Sequence, residues 1–241
     1  MKSYLTIKKE ITSSMVDSTH KLRFDAILNT FQDLATAHAT QMGMGFIDLK
    51  NSSNAFWVLS KIRFNLDGSI YQNQTIKATT WPLAPSTFRF VRDFVISSES
   101  GKVLGSSEWC LLDFDTISLR KLSSVNYPSQ LKHLKKRSNA GDFNRIKIEL
   151  TNEDYLYDYT ATFCDIDCNN HVNNVSYAKM ALNCFTPNEF NDFNFKGFEI
   201  QFITQTYYGD KISIYKKTIE NGVYVEGVCK DKTIFKSIFE Y

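Results

Sequence analysis

The strongest constraint on this chain is an order of elements that it spells twice. A strand-like opening over 1–24 leads to a helix-like stretch and then to four strand-like segments, at 56–64, 74–81, 87–97 and 103–114. Asp67-Gly68, Pro82 to Pro85 and Ser100-Gly101 punctuate them, and residues 51–54 read as a polar loop. The helix signal begins at Asp25 and ends near Gln41. Ala26, Ile27, Thr30, Phe31, Leu34, Ala35 and His38 recur there at three- and four-residue steps, and Gly43 and Gly45 are placed to stop it. From 123 to 143 the pattern is lost. Extended stretches at 145–150 and 157–162 then precede a second helix start, and segments at 198–205, 211–219, 223–230 and 233–239 follow. This is a duplication of organisation rather than of residues. A single helix per antiparallel sheet buries its apolar face only if the sheet wraps it, so an α+β fold of two such units is expected. The expected division is 1–125 for the first unit, 126–143 for a linker and 144–241 for the second.

Composition narrows the class. At 241 residues with 43% hydrophobic and 22% charged, the chain can bury a core or two and does not resemble a disordered sequence. Nineteen Phe and 12 Tyr against 10 Gly and 4 Pro suit long strands. A net charge of +2 gives no reason to expect nucleic acid as a partner. No apolar run approaches the roughly 20 residues of a membrane span, and the opening residues lack a signal-peptide core. Five cysteines in an odd set fit a reducing, cytoplasmic setting better than a disulfide scaffold. Cys164 and Cys168 have no second pair, so no metal is expected.

The second helix start carries the chemistry. Asp165-Ile166-Asp167-Cys168-Asn169-Asn170-His171-Val172-Asn173-Asn174 gathers two carboxylates, four asparagines and a histidine immediately before an apolar run. Asn173 or Asn174 is a good N-cap, and Val175, Ala178, Ala181 and Leu182 give the following helix its buried face. The polar cluster thus sits at the positive end of a helix, which favours developing negative charge.

Asp167-x-Asn169-x-His171-Val172-Asn173-Asn174 resembles the signature of acyl-acyl-carrier-protein (acyl-ACP) thioesterases, a family of two fused hotdog domains, each an antiparallel sheet wrapped around a central helix. Residues in both halves resemble the family in order and spacing. They are Phe31-Gln32-Asp33-Leu34-Ala35-Thr36 with His38, Trp57-Val58-Leu59-Ser60, Thr79-Thr80-Trp81-Pro82, Arg92-Asp93-Phe94, Ser107-Glu108-Trp109 through Asp113, and Tyr208-Gly209-Asp210. The resemblance implies hydrolysis of fatty acyl-ACP to free fatty acid, with the acyl pocket mostly in the first half and the catalytic residues in the second. It implies Asp167, Asn169 and His171 as the catalytic set, acyl carrier protein as partner, and no cofactor. The absence of a transit peptide fits a bacterial member. Duplication can replace the usual hotdog dimer, and a homodimer stays open. The family's glutamate falls at Gln205 and the cysteine of its plant members at Thr206, aligned on the Tyr208 turn. Glutamine keeps the length and can position water but cannot take a proton, so a Gln205→Glu version is expected to be faster. Phe198, Ile200 and Phe202 alternate onto one face, which sets Gln205 on the other unless a bulge intervenes.

A thioester needs an activated water and stabilisation of a tetrahedral oxyanion. Backbone amides at 172–174 can face the oxyanion, and His171 can activate water, since an imidazole exchanges protons near neutral pH. Asp167 can orient the imidazole or hold Asn169 in register, and Asn169 can fix the water or the carbonyl. Other readings stand beside these. His171 can be a helix-start residue bonded to a carbonyl, and Asp167 and Asn169 can serve only to turn the chain. Cys168 reads as a small buried side chain rather than a nucleophile. Gln32, Asp33 and His38 either line the site or lie on a helix surface. Trp57, Trp81 and Trp109 read as core, and residues 42–46 either line an acyl pocket or pack a helix end. The basic run at 132–137 is a solvated linker or a dock for an acidic carrier. Two alternatives to an acyl-ACP hydrolase remain. One is a coenzyme A thioesterase; the other is a catalytically weak acyl-binding or regulatory protein, which Gln205 permits.

Overall fold

The first helix forms as α1, Phe24–Gln41, in a computed structural model that describes residues 2–241. The chain divides into two units, Met1–Gly141 and Asp142–Tyr241. In the first, β1 (Leu5–Glu10), β2 (Ala55–Gly68), β3 (Thr75–Pro82), β4 (Phe90–Ser97) and β5 (Gly101–Asp113) pair antiparallel in the order β1-β3-β4-β5-β2, with β6 (Leu119–Arg120) beside β5. Helix α1 lies on one face. Gly105 sits between Phe64 and Phe94 in register, and the Phe31 ring of α1 occupies the space where its Cβ would be, 2.3 Å from that position. Phe31 stacks on Phe94 at 4.3 Å between centroids. Burying that ring contributes up to roughly 3 kcal/mol, which fixes α1 over the sheet centre.

The second unit repeats the plan. Strands β7 (Tyr155–Thr160), β8 (Gly197–Phe202), β9 (Lys211–Ile219), β10 (Gly222–Cys229) and β11 (Lys232–Glu240) run antiparallel in the order β8-β11-β10-β9-β7. Helix α3, Asn174–Leu182, packs Tyr177 against Phe202 and Phe235. Each unit is therefore one sheet around one helix, as expected for a hotdog pair. Among the described residues, no helix is long and apolar enough to cross a membrane.

Two expectations need correction, and one helix is additional. Residues 51–54 belong largely to a helix, α2 (Phe46–Ser53), because the Asp48 carboxylate accepts the Gly45 amide at 3.0 Å and caps it; Asn54 ends it at φ +48°. A second short helix, α4 (Pro187–Phe193), follows a capping box in which Thr186 and Glu189 bond each other's amides. Residues 145–150 are extended without joining a ladder. Ile146, Ile148 and Leu150 are half-buried while Arg145, Lys147 and Glu149 are exposed, so the period of two is real but the backbone pairing is not.

The connector is not a solvated tether. Its first part crosses the face of the first sheet opposite α1: Trp81 Nε1 donates to the Lys136 carbonyl at 2.9 Å, and the fully buried Asp93 accepts from Arg137 Nε at 3.0 Å and the Ser138 amide at 2.8 Å. Its second part crosses the corresponding face of the second sheet. There the fully buried Glu199 accepts the Asn144 amide at 3.0 Å, and Lys217 donates to the Glu149 carbonyl at 2.8 Å. Each sheet thus has a helix on one face and a strap on the other, held by a buried carboxylate whose charge is met by hydrogen bonds.

Candidate functional site

The polar loop is built from its own short-range bonds. A 3-10 turn at Phe163–Asp165 is followed by a bridge between Ile166 and Val172, and Asn170 takes the left-handed conformation at φ +62°. Asp167 closes the loop: its amide donates to the His171 carbonyl at 2.9 Å, and its carboxylate accepts the amides of Asn169 at 2.8 Å and His171 at 3.4 Å. Asp167 therefore holds Asn169 and His171 in register through their backbones. The Asn169 side chain, exposed, reaches the Asp167 carboxylate only at 3.5 Å. Asn173 is the N-cap of α3, accepting the Val175 amide at 2.8 Å.

His171 is half-buried. Among the described residues its ring nitrogens have no protein partner, so it is not tied to a carbonyl as the plainer reading had it. Its ring meets Tyr207 edge to face at 5.1 Å. Gln205 lies beyond the end of β8, in an exposed loop segment, so strand parity does not govern it. Its Nε2 donates to the Tyr207 hydroxyl at 3.2 Å. The structure thus brings His171, Tyr207 and Gln205 together, with Asp167 and Asn169 on the loop behind. Sequence reasoning passed over Tyr207, although it directly precedes the quoted Tyr208-Gly209-Asp210 turn.

Thr206, at the cysteine position, is buried. Its hydroxyl lies 2.9 Å from the Tyr177 hydroxyl, its amide donates to the same oxygen at 2.9 Å, and its carbonyl accepts the Val172 amide at 2.9 Å. Burial pushes the Tyr177 phenol up, so it stays protonated as the link between α3 and this segment. Thr206 anchors; it is not presented as a nucleophile.

The expected oxyanion amides are mostly committed elsewhere. Val172 donates to Thr206 and Asn173 donates to the Asp165 carbonyl at 2.7 Å, which leaves Asn174 of the three. Asp165 is itself buried. Its carboxylate accepts from the Tyr159 hydroxyl at 2.8 Å and from the Thr162 amide and hydroxyl at 2.8 and 2.9 Å. Burial works to raise its pKa, but these bonds outweigh it and hold the group below the usual carboxylate range.

Cys168 is exposed, not buried as expected, because it stands at the tip of the tight loop. On α1, Asp33 is exposed while His38 is buried against Arg92, with 3.0 Å between His38 Nδ1 and the guanidinium. Burial lowers the His38 pKa, and the Arg92 charge adds to that. Met42 and Met44 pack with Leu49, Phe90 and Leu111 against Trp57 and Trp109. Trp81 is buried.

Known proteins share this fold. A profile of the acyl-ACP thioesterase N-terminal domain matches residues 3–127, and one of the acyl-ACP thioesterase C-terminal domain matches residues 148–236. An acyl-ACP thioesterase from Bacteroides thetaiotaomicron superposes with a TM-score of 0.86 at 22% identity, covering 99% of this chain and 97% of that one. The 12:0-ACP thioesterase from Umbellularia californica superposes with a TM-score of 0.83 at 16% identity, covering 100% and 97%. The chloroplastic oleoyl-acyl carrier protein thioesterase 1 of Arabidopsis thaliana is 24% identical over 213 residues, 82% of this chain and 58% of that protein. The chain spans about half the length of the curated relatives it matches. With both domain profiles matched in order along two hotdog units, the chain belongs to the acyl-ACP thioesterase family.

Proposed function

We propose that this protein hydrolyses fatty acyl-ACP thioesters to free fatty acid and carrier thiol. The observation that carries this is His171, held at the start of α3 with its ring nitrogens open and its ring against Tyr207 beside Gln205. In the step supported here, His171 takes a proton from water as the water oxygen bonds the acyl carbon. The tetrahedral intermediate then breaks its C–S bond, the electron pair leaves on sulfur, and the thiolate takes that proton. A thiolate leaves readily, so a strong general acid is not required. Asn169 orients the water or carbonyl, and Asp167 positions both residues through their amides rather than acting as a base.

The partner is an acyl carrier protein, and the exposed Lys132 and Lys135 of the strap are its docking candidates. Arg137 is already paired with Asp93. Reversing the charge of both lysines is expected to raise the Michaelis constant for the carrier; an unchanged constant removes them. Five free cysteines suit a reducing cytosol. The deciding experiment is hydrolysis of an acyl-chain panel on both acyl carrier protein and coenzyme A, with a His171→Ala control. Faster turnover of the same chain on coenzyme A would shift the substrate class, and tight acyl binding without hydrolysis would favour an acyl-binding protein.

A further inference from the structure

We infer that Tyr207 is a catalytic residue, donating its hydroxyl proton in a hydrogen bond to the thioester carbonyl oxygen as that oxygen becomes negative. This role rests on the hydrolase reading above. Three observations lead to it. Two of the three helix-start amides at 172–174 are spent on Thr206 and Asp165, so the helix start offers the oxyanion Asn174 alone and a second donor has to come from elsewhere. The Tyr207 ring stands 5.1 Å from the His171 ring, close to where water would be activated, and is exposed to an incoming substrate. Its oxygen already accepts from Gln205 Nε2 at 3.2 Å.

That last bond sets the polarity. A phenol oxygen that accepts one hydrogen bond still has a single O–H to give, and the amide donor beside it strengthens that O–H as a donor. The backbone around it is rigid. The Tyr207 amide donates to the Asp210 carboxylate at 2.9 Å, the Asp210 amide returns to the Tyr207 carbonyl at 3.1 Å, and Thr206 is anchored to Tyr177. Gln205 then acts as a positioning residue: its Nε2 holds the phenol, and its Oε1 remains to accept from water. No proton is transferred by Tyr207; the hydrogen bond forms with the oxyanion and relaxes when the C–S bond breaks.

The same polarity reverses the expectation for glutamate at this position. A carboxylate would accept from the Tyr207 hydroxyl and turn its proton away from the substrate.

The test is steady-state hydrolysis of the preferred acyl-ACP by wild type, Tyr207→Phe, Gln205→Glu and His171→Ala. Tyr207 is half-exposed, so Tyr207→Phe keeps the ring contact and the fold. The expected result is a fall in kcat of about 100-fold for Tyr207→Phe with the Michaelis constant little changed, the pattern of a lost oxyanion donor. Gln205→Glu is expected to fall as well. If Tyr207→Phe keeps near wild-type kcat while His171→Ala is inactive, the hydrolase reading survives and the Tyr207 role is overturned. A faster Gln205→Glu enzyme overturns the Gln205–Tyr207 pairing and restores a carboxylate base. A wild-type protein that hydrolyses neither carrier's thioesters overturns this role together with the reading beneath it.

Discussion

In the loop before α1 the Asp17 amide donates to the Lys21 carbonyl at 2.9 Å; in the loop before α3 the Asp167 amide donates to the His171 carbonyl, also at 2.9 Å. The agreement continues bond by bond. The Asp17 carboxylate accepts the amides of Thr19 at 2.8 Å and Lys21 at 3.1 Å, as Asp167 does for Asn169 and His171. His20 and Asn170 both sit at φ +62°. The Leu22 amide reaches the Ile70 carbonyl as Val172 reaches Thr206, and Tyr71 starts the same turn as Tyr207, its amide taken by Gln74 as that of Tyr207 is by Asp210. One backbone frame is therefore used twice. The aspartate belongs to the frame, since the first loop keeps it while carrying lysine where the second carries histidine. The two loops differ in their side chains, and the proposed chemistry rests on those differences: His171 for Lys21, Asn169 for Thr19, and Asp165 where the first loop buries Met15.

The comparison can be broken at each of those positions. The largest effect is expected at His171: His171→Ala lowers kcat by about 1,000-fold, the contribution of a positioned acid–base group. Lys21→Ala leaves the rate unchanged; measured side by side, equal losses would mean that the second loop has no special chemistry.

Asp165 comes next, through stability. Its folded pKa lies below the unfolded value of 3.8, so its contribution is present above pH 3.8 and is lost as pH falls below that value through the folded pKa. Asp165→Asn is expected to cost about 1–3 kcal/mol at neutral pH. It should also flatten the acid limb of a urea-denaturation series, whereas Met15→Leu should not. An unchanged acid limb in Asp165→Asn would assign the acid sensitivity to another group.

Asp167→Ala and Asp17→Ala should each lose about 1 kcal/mol, because each frees the same two amides. Only Asp167→Ala should also lower kcat, by roughly tenfold, since it loosens His171 and Asn169. Asp167→Asn, which keeps the acceptor oxygen, should restore most of that rate. The smallest effect is Tyr71→Phe. Tyr71 occupies the turn position of Tyr207 with Lys21 where the second loop has His171, and the variant's kcat should equal wild type. A rate loss there would show that the turn tyrosines matter for folding in both units.

Where sequence spoke clearly, the deciding bonds span a few residues. The α1 pattern, the Asn173 cap and the doubled order of elements are set by bonds and periodicities within one turn or one element, which local residue chemistry specifies. The capping box at Thr186 and Glu189 was equally local and was overlooked. The strap was not legible, because its fixing points, Asp93 with Arg137 and Glu199 with Asn144, lie 44 and 55 residues apart. Their alternating residues look like strand whether they join a ladder or cross a face. Gln205 lies off the expected strand for a related reason: β8 ends at Phe202, and bonds from Ile203 and Thr204 to Ile234 and from Thr206 to Tyr177 and Val172, all distant in sequence, decide where the chain goes next.

The sequence by itself determined the two sheet-and-helix units, the helix start at Asn173 and the loop that carries Asp167, Asn169 and His171. Short-range hydrogen bonding and hydrophobic periodicity suffice for these. Only the tertiary structure decided what faces His171. A strand end, a buried tyrosine and a turn had to meet before Tyr207 and Gln205 came to its side, and such a meeting depends on packing between segments far apart in the chain. For that reason His171 could be singled out from its neighbours in sequence, and its contact with Tyr207 only from its neighbours in space.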